Sequence, residues 1–506
     1  MFPLLLTLVA TSYAATTTTK DEYMSQRANL IKKNDKRSFA SSEQLNQREQ
    51  QVDNLLIKYR DEFSWSPGEN FIGNQFFHDW DKSYLDSKLF KMLKPMPKGG
   101  ALHLHSGSSG DVDWIVEVGM FIEGCFVYWP NEGDSGTILK GAINFFPTSL
   151  PPPEETGWAT VQSLVAGSAS FQEELKGLIT SNGSLKTMDS GDAWSYFSDV
   201  FVRIGGAMNY LPFYKAYLIN SMEMLVKDNV MHMEIRALCG KGGLGDLVDE
   251  DNVAHSGDGV IDVYRQALRE FNEKAQEPFT MKLIVASLRK FDPEKIEVDV
   301  EEAWGLKERN GDLVVGFDLV AEEDAGHTTL DYIDVWLEMK NFGARNNVSM
   351  PLFFHDGETN SRGNENLYDA VLLDVERVGH GLNLYYFPEL EELAKKKGIC
   401  FEINPISNNV LRYVDKQQLH PVVRMMANGV NVVVSSDDPG VFGYTGLSHD
   451  FFISVVGFGL GLGEVKQLAR NSIVFSKLEE GEGGEKDGSL ERWERKWDEW
   501  VEEILE

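Results

Sequence analysis

Eight short apolar runs recur between residues 98 and 435, separated by longer amphipathic stretches. They span 100–105, 230–236, 281–288, 313–320, 352–355, 377–380, 399–403 and 430–435. Runs of this length, rich in Val, Ile and Phe, read as strands, and the stretches between them as helices. Eight parallel strands alternating with helices predict an α/β fold, a (β/α)8 barrel of the TIM type, whose functional side chains gather at the strand C-terminal ends. A doubly wound open sheet is the competing architecture. It calls for a Gly-rich phosphate loop after an early strand, and none follows any of the eight runs.

The flanks divide the remaining chain. Residues 1–14 carry an apolar core and a small-x-small end at Ser12-Tyr13-Ala14, which predicts a secretory signal peptide. Residues 15–95 read as a polar helical segment with Leu55, Leu56, Tyr59 and Phe63 at helical spacing. The barrel follows over 96–478, with an insertion at about 121–188 after the first strand, where Gly, Pro and Ser cluster. Residues 479–506 form an acidic linker and an amphipathic helix with Trp493, Trp497, Trp500 and Ile504 on one stripe. The net charge of -31 argues against nucleic acid and anionic membrane as partners. Three Cys allow one disulfide at most, and Asn182 and Asn347 stand in N-x-[ST] sequons.

The polar residues closing the eight runs converge on one end of the barrel. His103 and His105 alternate with Leu104 and so project from one side of an extended strand. The fourth run leads into Ala321-Glu322-Glu323-Asp324, and the fifth ends at His355 before Asp356-Gly357-Glu358. The sixth ends at His380, and the eighth leads to Asp437-Asp438. Of ten His in the chain, four stand at these strand ends, more than accident supplies. Three neutral imidazoles and one carboxylate, with room left for water, make a catalytic rather than a structural zinc site. His103, His105, His355 and Asp437 are the expected ligands of one Zn2+ per chain. Coordination lowers the pKa of bound water toward about 7. Glu358 is then placed to shuttle a proton, His380 to orient the water or act as base, and Asp438 to hold the substrate.

In this order and spacing, PKGGALHLH, GFDLVAEED, FFHDGET, RVGHG, NPISN and SSDDPGVFG closely resemble the adenosine deaminase superfamily. The resemblance is best to its secreted branch, the adenosine deaminase-related growth factors, and covers nearly the whole chain. That branch also has a signal peptide, an N-terminal helical dimerisation segment and an insertion after the first strand. The resemblance implies a secreted homodimer that removes the 6-amino group of adenosine or 2′-deoxyadenosine by hydrolysis, giving inosine or deoxyinosine and ammonia. The family's zinc ligands match His103, His105, His355 and Asp437. Its proton donor to purine N1 matches Glu358, its water-orienting His matches His380, and its carboxylate at N7 matches Asp438. Trp194 matches an aromatic near the nucleoside site, or is an ordinary core residue.

Four positions depart from the family pattern. Ser106 replaces an Asp expected at the ribose 5′-hydroxyl, and Ala321 replaces a Gly whose backbone N–H serves the purine. Asp356 replaces the Ala of H-A-G-E, and Asn404 the Cys of C-P-I-S-N. None removes a ligand or the catalytic Glu, so the chemistry is expected and activity on adenosine itself is expected to be weak. Three rivals remain. A two-metal amidohydrolase calls for a Lys after strand four, and none lies between Gly311 and Tyr332. A cytidine-type deaminase calls for P-C-x-x-C, which is absent. A secreted binding protein on a dead deaminase fold would not need the complete ligand set.

Overall fold

The computed structural model describes residues 19–63, 71–131, 137–146, 157–239, 245–481 and 483–506. The expected signal peptide and the Pro151–Pro153 run lie outside the described residues. Eight strands form the centre: β1 (Gly99–His105), β2 (Val230–Ala237), β3 (Thr280–Leu288) and β4 (Val314–Val320), then β5 (His355–Asp356), β6 (Arg377–His380), β7 (Cys400–Ile403) and β8 (Asn431–Val434). Each set of four pairs in parallel and in chain order. Parallel bridges between Phe317 and Leu352 and between Leu104 and Asp437 join the two sets at both seams. The sheet therefore closes on itself, and the open-sheet alternative is excluded. The regular part of the fifth strand is shorter than its apolar run, because Leu352 meets β4 only through that isolated bridge.

A helix follows every strand: α1 (Leu211–Lys227), α2 (Asp258–Asn272), α3 (Pro293–Arg309), α4 (Ile333–Asn346), α5 (Asn366–Leu372), α6 (Pro388–Lys397), α7 (Pro421–Ala427) and α8 (Leu462–Val474). Their sequences fit the role. On α2 the buried side chains Val260, Tyr264, Ala267 and Phe271 recur at three to four residues and line one face. Pro occupies the first turn of α3, α6 and α7, where its missing N–H has no intrahelical partner to lose.

Between β1 and α1 the chain makes an antiparallel three-stranded sheet with Cys125–Tyr128 between Ile143–Phe145 and Trp158–Thr160. The helices Val161–Gly167, Phe171–Leu178 and Ser190–Met208 complete this insertion. The C-terminal helix Glu485–Leu505 buries Trp493, Trp497 and Trp500. It contacts the N-terminal helix Gln47–Asp61, where Trp497 Nε1 donates to Glu49 at 2.9 Å. Cys125, Cys239 and Cys400 are buried and free. Asn347 ends α4 in a left-handed conformation and is exposed, whereas the Asn182 carboxamide donates to Tyr196 at 2.6 Å. No helix among the described residues is long and apolar enough to cross a membrane.

Candidate active site

Four imidazoles and two carboxylates meet at the C-terminal mouth of the barrel. His105 Nε2 lies 3.0 Å from Asp437 Oδ1, and His103 Nε2 lies 3.3 Å from the same atom. His355 Nε2 is 3.3 Å from His105 Nε2. All are buried except His105, whose side chain is 19% exposed and gives the cluster its opening toward solvent. The backbone crosses the β1–β8 seam at this point: Asp437 N–H donates to His103 O at 3.0 Å, and His105 N–H to Asp437 O at 3.3 Å. Asp437, His380 and Ala321 all take positive φ, at 63°, 65° and 81°. Non-Gly residues held in this region cost about 1–3 kcal/mol each and collect where strain serves a site.

The donor set fits a metal ion. His103 Nε2 and His105 Nε2 both converge on Asp437 Oδ1, at 3.3 and 3.0 Å, a buried crowding of ligand atoms that a cation would complete. Behind the cluster, His103 Nδ1 is 2.7 Å from Glu402 and His355 Nδ1 is 2.8 Å from Asp318. A carboxylate behind Nδ1 keeps the proton there and aims the Nε2 lone pair at the centre. Burial opposes charge on Glu402, but Arg236 and Arg377 overcome it and hold the carboxyl well below its ordinary value. Arg377 also pairs with Glu234 at 2.6 Å, and Arg236 with Asp318 at 3.0 Å. Gly379 leaves room for this packing, since a Cβ there would sit 3.0 Å from the His103 ring.

Among the described residues, two groupings of donor atoms could hold an ion: His103, His355, His380 and Asp437, or His105, Asp437 and Asp438. The expected set of His103, His105, His355 and Asp437 draws on both.

Glu358 lies above the cluster, 1% exposed, with Oε1 at 3.6 Å from His380 Nε2 and Oε2 without a partner. Burial, then the Asp437 charge, pushes its pKa well above the ordinary value, so it stands as an acid. Glu323 fixes the turn that carries it. Its carboxylate accepts from Gly357 N–H at 2.8 Å and Thr359 N–H at 3.2 Å, the residues on either side of Glu358. Gly357 needs its φ of +70°, and a Cβ there would lie 2.4 Å from Asn383 Oδ1. Asp438 accepts a short hydrogen bond from Ser108. Trp194 donates from Nε1 to Tyr413 at 2.8 Å, and Tyr413 is raised first by burial and then by the nearby Glu358. Trp194 is thereby both a buried residue and one step from the site.

The four departures separate in space. Ala321 holds a conformation that Gly adopts freely. Ser106 is held by its backbone N–H, which donates to Arg236 O at 3.1 Å, and its side chain offers no charge. Asn404 stands 3.5 Å from His380 Nδ1. Asp356 turns away from the cluster: its Oδ1 accepts from Arg289 and Thr329, each at 2.7 Å. Its exchange for Ala is a matter of the barrel wall, compensated by a buried Arg. Glu402 and Asp318 escaped notice in the sequence. The one available signal was an acid inside an otherwise apolar strand, as in Cys-Phe-Glu-Ile and Val-Gly-Phe-Asp-Leu-Val.

Comparison with known proteins identifies the family. The family model for adenosine deaminase matches residues 183–485, and that for the adenosine/AMP deaminase N-terminal region matches residues 2–93. Adenosine deaminase 2 of Homo sapiens is 31% identical over 514 residues, covering 99% of this chain and 97% of that protein. Adenosine deaminase 2 of Dictyostelium discoideum is 30% identical over 493 residues, covering 96% and 88%. The N6-methyl-AMP deaminase of Arabidopsis thaliana shares the fold with a TM-score of 0.54 at 16% identity, over 81% of this chain and 98% of that one. An amidohydrolase from Burkholderia with bound Zn gives 0.55 at 17% identity, over 86% and 99%. Fold and site thus define a hydrolytic deaminase acting on C–N bonds. The chain belongs to the adenosine deaminase family, in the branch of the growth-factor type that includes adenosine deaminase 2.

Proposed function

We propose that this chain is a secreted, zinc-dependent aminohydrolase of 6-aminopurine nucleosides, converting adenosine or 2′-deoxyadenosine and water to inosine or deoxyinosine and ammonia. The observation that carries it is the convergence of His103 Nε2 and His105 Nε2 on Asp437 Oδ1, with a buried acid, Glu358, one side chain away. His103, His105, His355 and Asp437 would hold the ion, which when bound supplies the Lewis acidity that makes water nucleophilic near neutral pH.

The chain's own residues do the rest. Glu358 gives its proton to purine N1, which drains electron density from C6 and opens that carbon to water. The 6-amino group leaves as ammonia, with the C6–N bond broken and a C6–O bond formed. N7 offers only a lone pair, so Asp438 meets it as an acid and donates, while Ser108 holds its other oxygen. Ala321 presents its N–H to the purine ring from a left-handed backbone. Ser106 leaves the ribose end without a carboxylate, which weakens the hold on a free 5′-hydroxyl and tolerates a 5′-substituent. Ammonia release from adenosine, deoxyadenosine, 5′-modified adenosines, AMP and adenine tests this. Release from a nucleoside is expected, with 5′-modified adenosines at least equal to adenosine. Release from none of them would refute the aminopurine reading.

The helix Lys20–Asp35 buries none of its residues. Tyr23, Met24, Leu30 and Ile31 are 61%, 49%, 63% and 43% exposed on one face. A second copy of the chain covers that face in a homodimer, and sedimentation velocity should report a particle of two chains. A monomer at micromolar concentration would remove this part of the proposal.

A further inference from the structure

Behind His380 runs a chain of buried groups whose donors and acceptors are forced one after another. The backbone N–H of Val422 can only donate, and it donates to His420 Nδ1 at 3.1 Å. That nitrogen therefore carries the lone pair. His420 is 2% exposed, and burial drives its pKa down to about 3, so the ring is neutral and its one proton sits on Nε2. Nε2 donates to Asn408 Oδ1 at 3.1 Å. The Asn408 amide is thus oriented by its neighbours, and its nitrogen faces His380 Nδ1 at 3.1 Å. The Asn404 amide nitrogen approaches the same atom at 3.5 Å. His380 Nδ1 accepts, and a neutral imidazole that accepts at Nδ1 bears its proton at Nε2.

We propose that Asn408 and His420 are positioning residues that lock His380 as the Nε2–H tautomer, a hydrogen-bond donor into the active site. Two consequences follow for open choices in the site. His380 lies close enough to His103, His355 and Asp437 to compete with His105 for the metal. A protonated nitrogen has no lone pair to give, so the third imidazole ligand is His105. His380 is also the partner that orients water by donation, and not the base that removes its proton. Nε2 faces oxygen atoms beyond direct hydrogen-bond range, Glu358 Oε1 at 3.6 Å and Asp437 Oδ2 at 3.7 Å, leaving its N–H free for a water between them. The statement about water rests on the proposed deaminase reading, whereas the tautomer is a property of the chain alone.

The test is nitrogen NMR of the full-length, zinc-loaded protein labelled with 15N-histidine. His380 is assigned by the signal lost in His380→Gln. An Nε2–H tautomer is expected, and an Nδ1–H tautomer or an imidazolium would overturn the proposal. In Asn408→Asp the carboxylate still accepts from His420 but cannot donate to His380 Nδ1. The His380 tautomer should reverse, with kcat falling about 10- to 100-fold and KM little changed. An unchanged tautomer in a folded variant would overturn the assignment to Asn408. If that variant does not fold, the parent spectrum still decides. Metal content gives a separate readout: His380→Gln should keep one zinc per chain and His105→Gln should lose it, and the reverse would sink the proposal. Absence of ammonia release from every aminopurine would refute the deaminase reading while leaving the tautomer result standing.

Discussion

Glu358→Gln should lower kcat about 10²- to 10⁴-fold with KM little changed, the usual worth of a positioned general acid. Gln keeps the shape of Glu358 and can still offer a hydrogen bond to purine N1. It cannot give up a proton there, so C6 is never activated. The turn itself should survive, because Glu323 holds Gly357 and Thr359 through their backbone N–H groups, which the substitution leaves in place. Steady-state kinetics with metal content measured in parallel checks this. A kcat within tenfold of the parent, at equal zinc, would remove Glu358 from the proton transfer.

The second large effect is on stability. Asp356→Ala should destabilise the fold by about 1–3 kcal/mol, because it removes a hydrogen-bond acceptor from a buried guanidinium, burial having pushed the Asp356 carboxyl up to about 8. Arg289 is fully buried and donates to Asp356 at 2.7 Å, and also to the backbone oxygen of His355. Removing the carboxyl leaves the guanidinium with neutral hydrogen-bond acceptors, the Glu323 and Asp318 carboxylates remaining nearby. The double variant Arg289→Leu with Asp356→Ala should recover part of the loss, since it removes the buried charge together with its partner. Urea unfolding of the parent, both single variants and the double variant measures the coupling. Additive costs would show that the two side chains do not act as a pair.

Asp356 also marks the boundary of what the sequence discloses. Beside His355 in H-D-G-E it reads as a change in the substrate pocket. Its partner Arg289 lies at the end of a different strand, and only barrel closure brings the two together. The gathering of His and Asp side chains is more legible, because strand geometry places His103 and His105 on one side, and barrel topology gathers the other strand ends. The layer beneath was less so. Glu402 and Asp318 stand out as lone acids in apolar strands, yet nothing local says that they face inward toward His103 and His355. The His380 relay is least legible of all: Asn408 follows His380 by 28 residues and His420 follows Asn408 by 12, and donor direction is set by a backbone N–H in a helix first turn. Residue types and spacing carry identity and periodicity. They carry no hydrogen-bond direction.

The central claim is that four residues from β1, β5 and the end of β8 hold one catalytic ion. Metal-free protein titrated with zinc, with ammonia release from a 6-aminopurine nucleoside followed against bound metal, tests it most directly. Activity should be negligible without metal, rise in proportion to bound zinc and saturate at one ion per chain. Full activity in the metal-free protein, or saturation only at two ions per chain, would contradict the account.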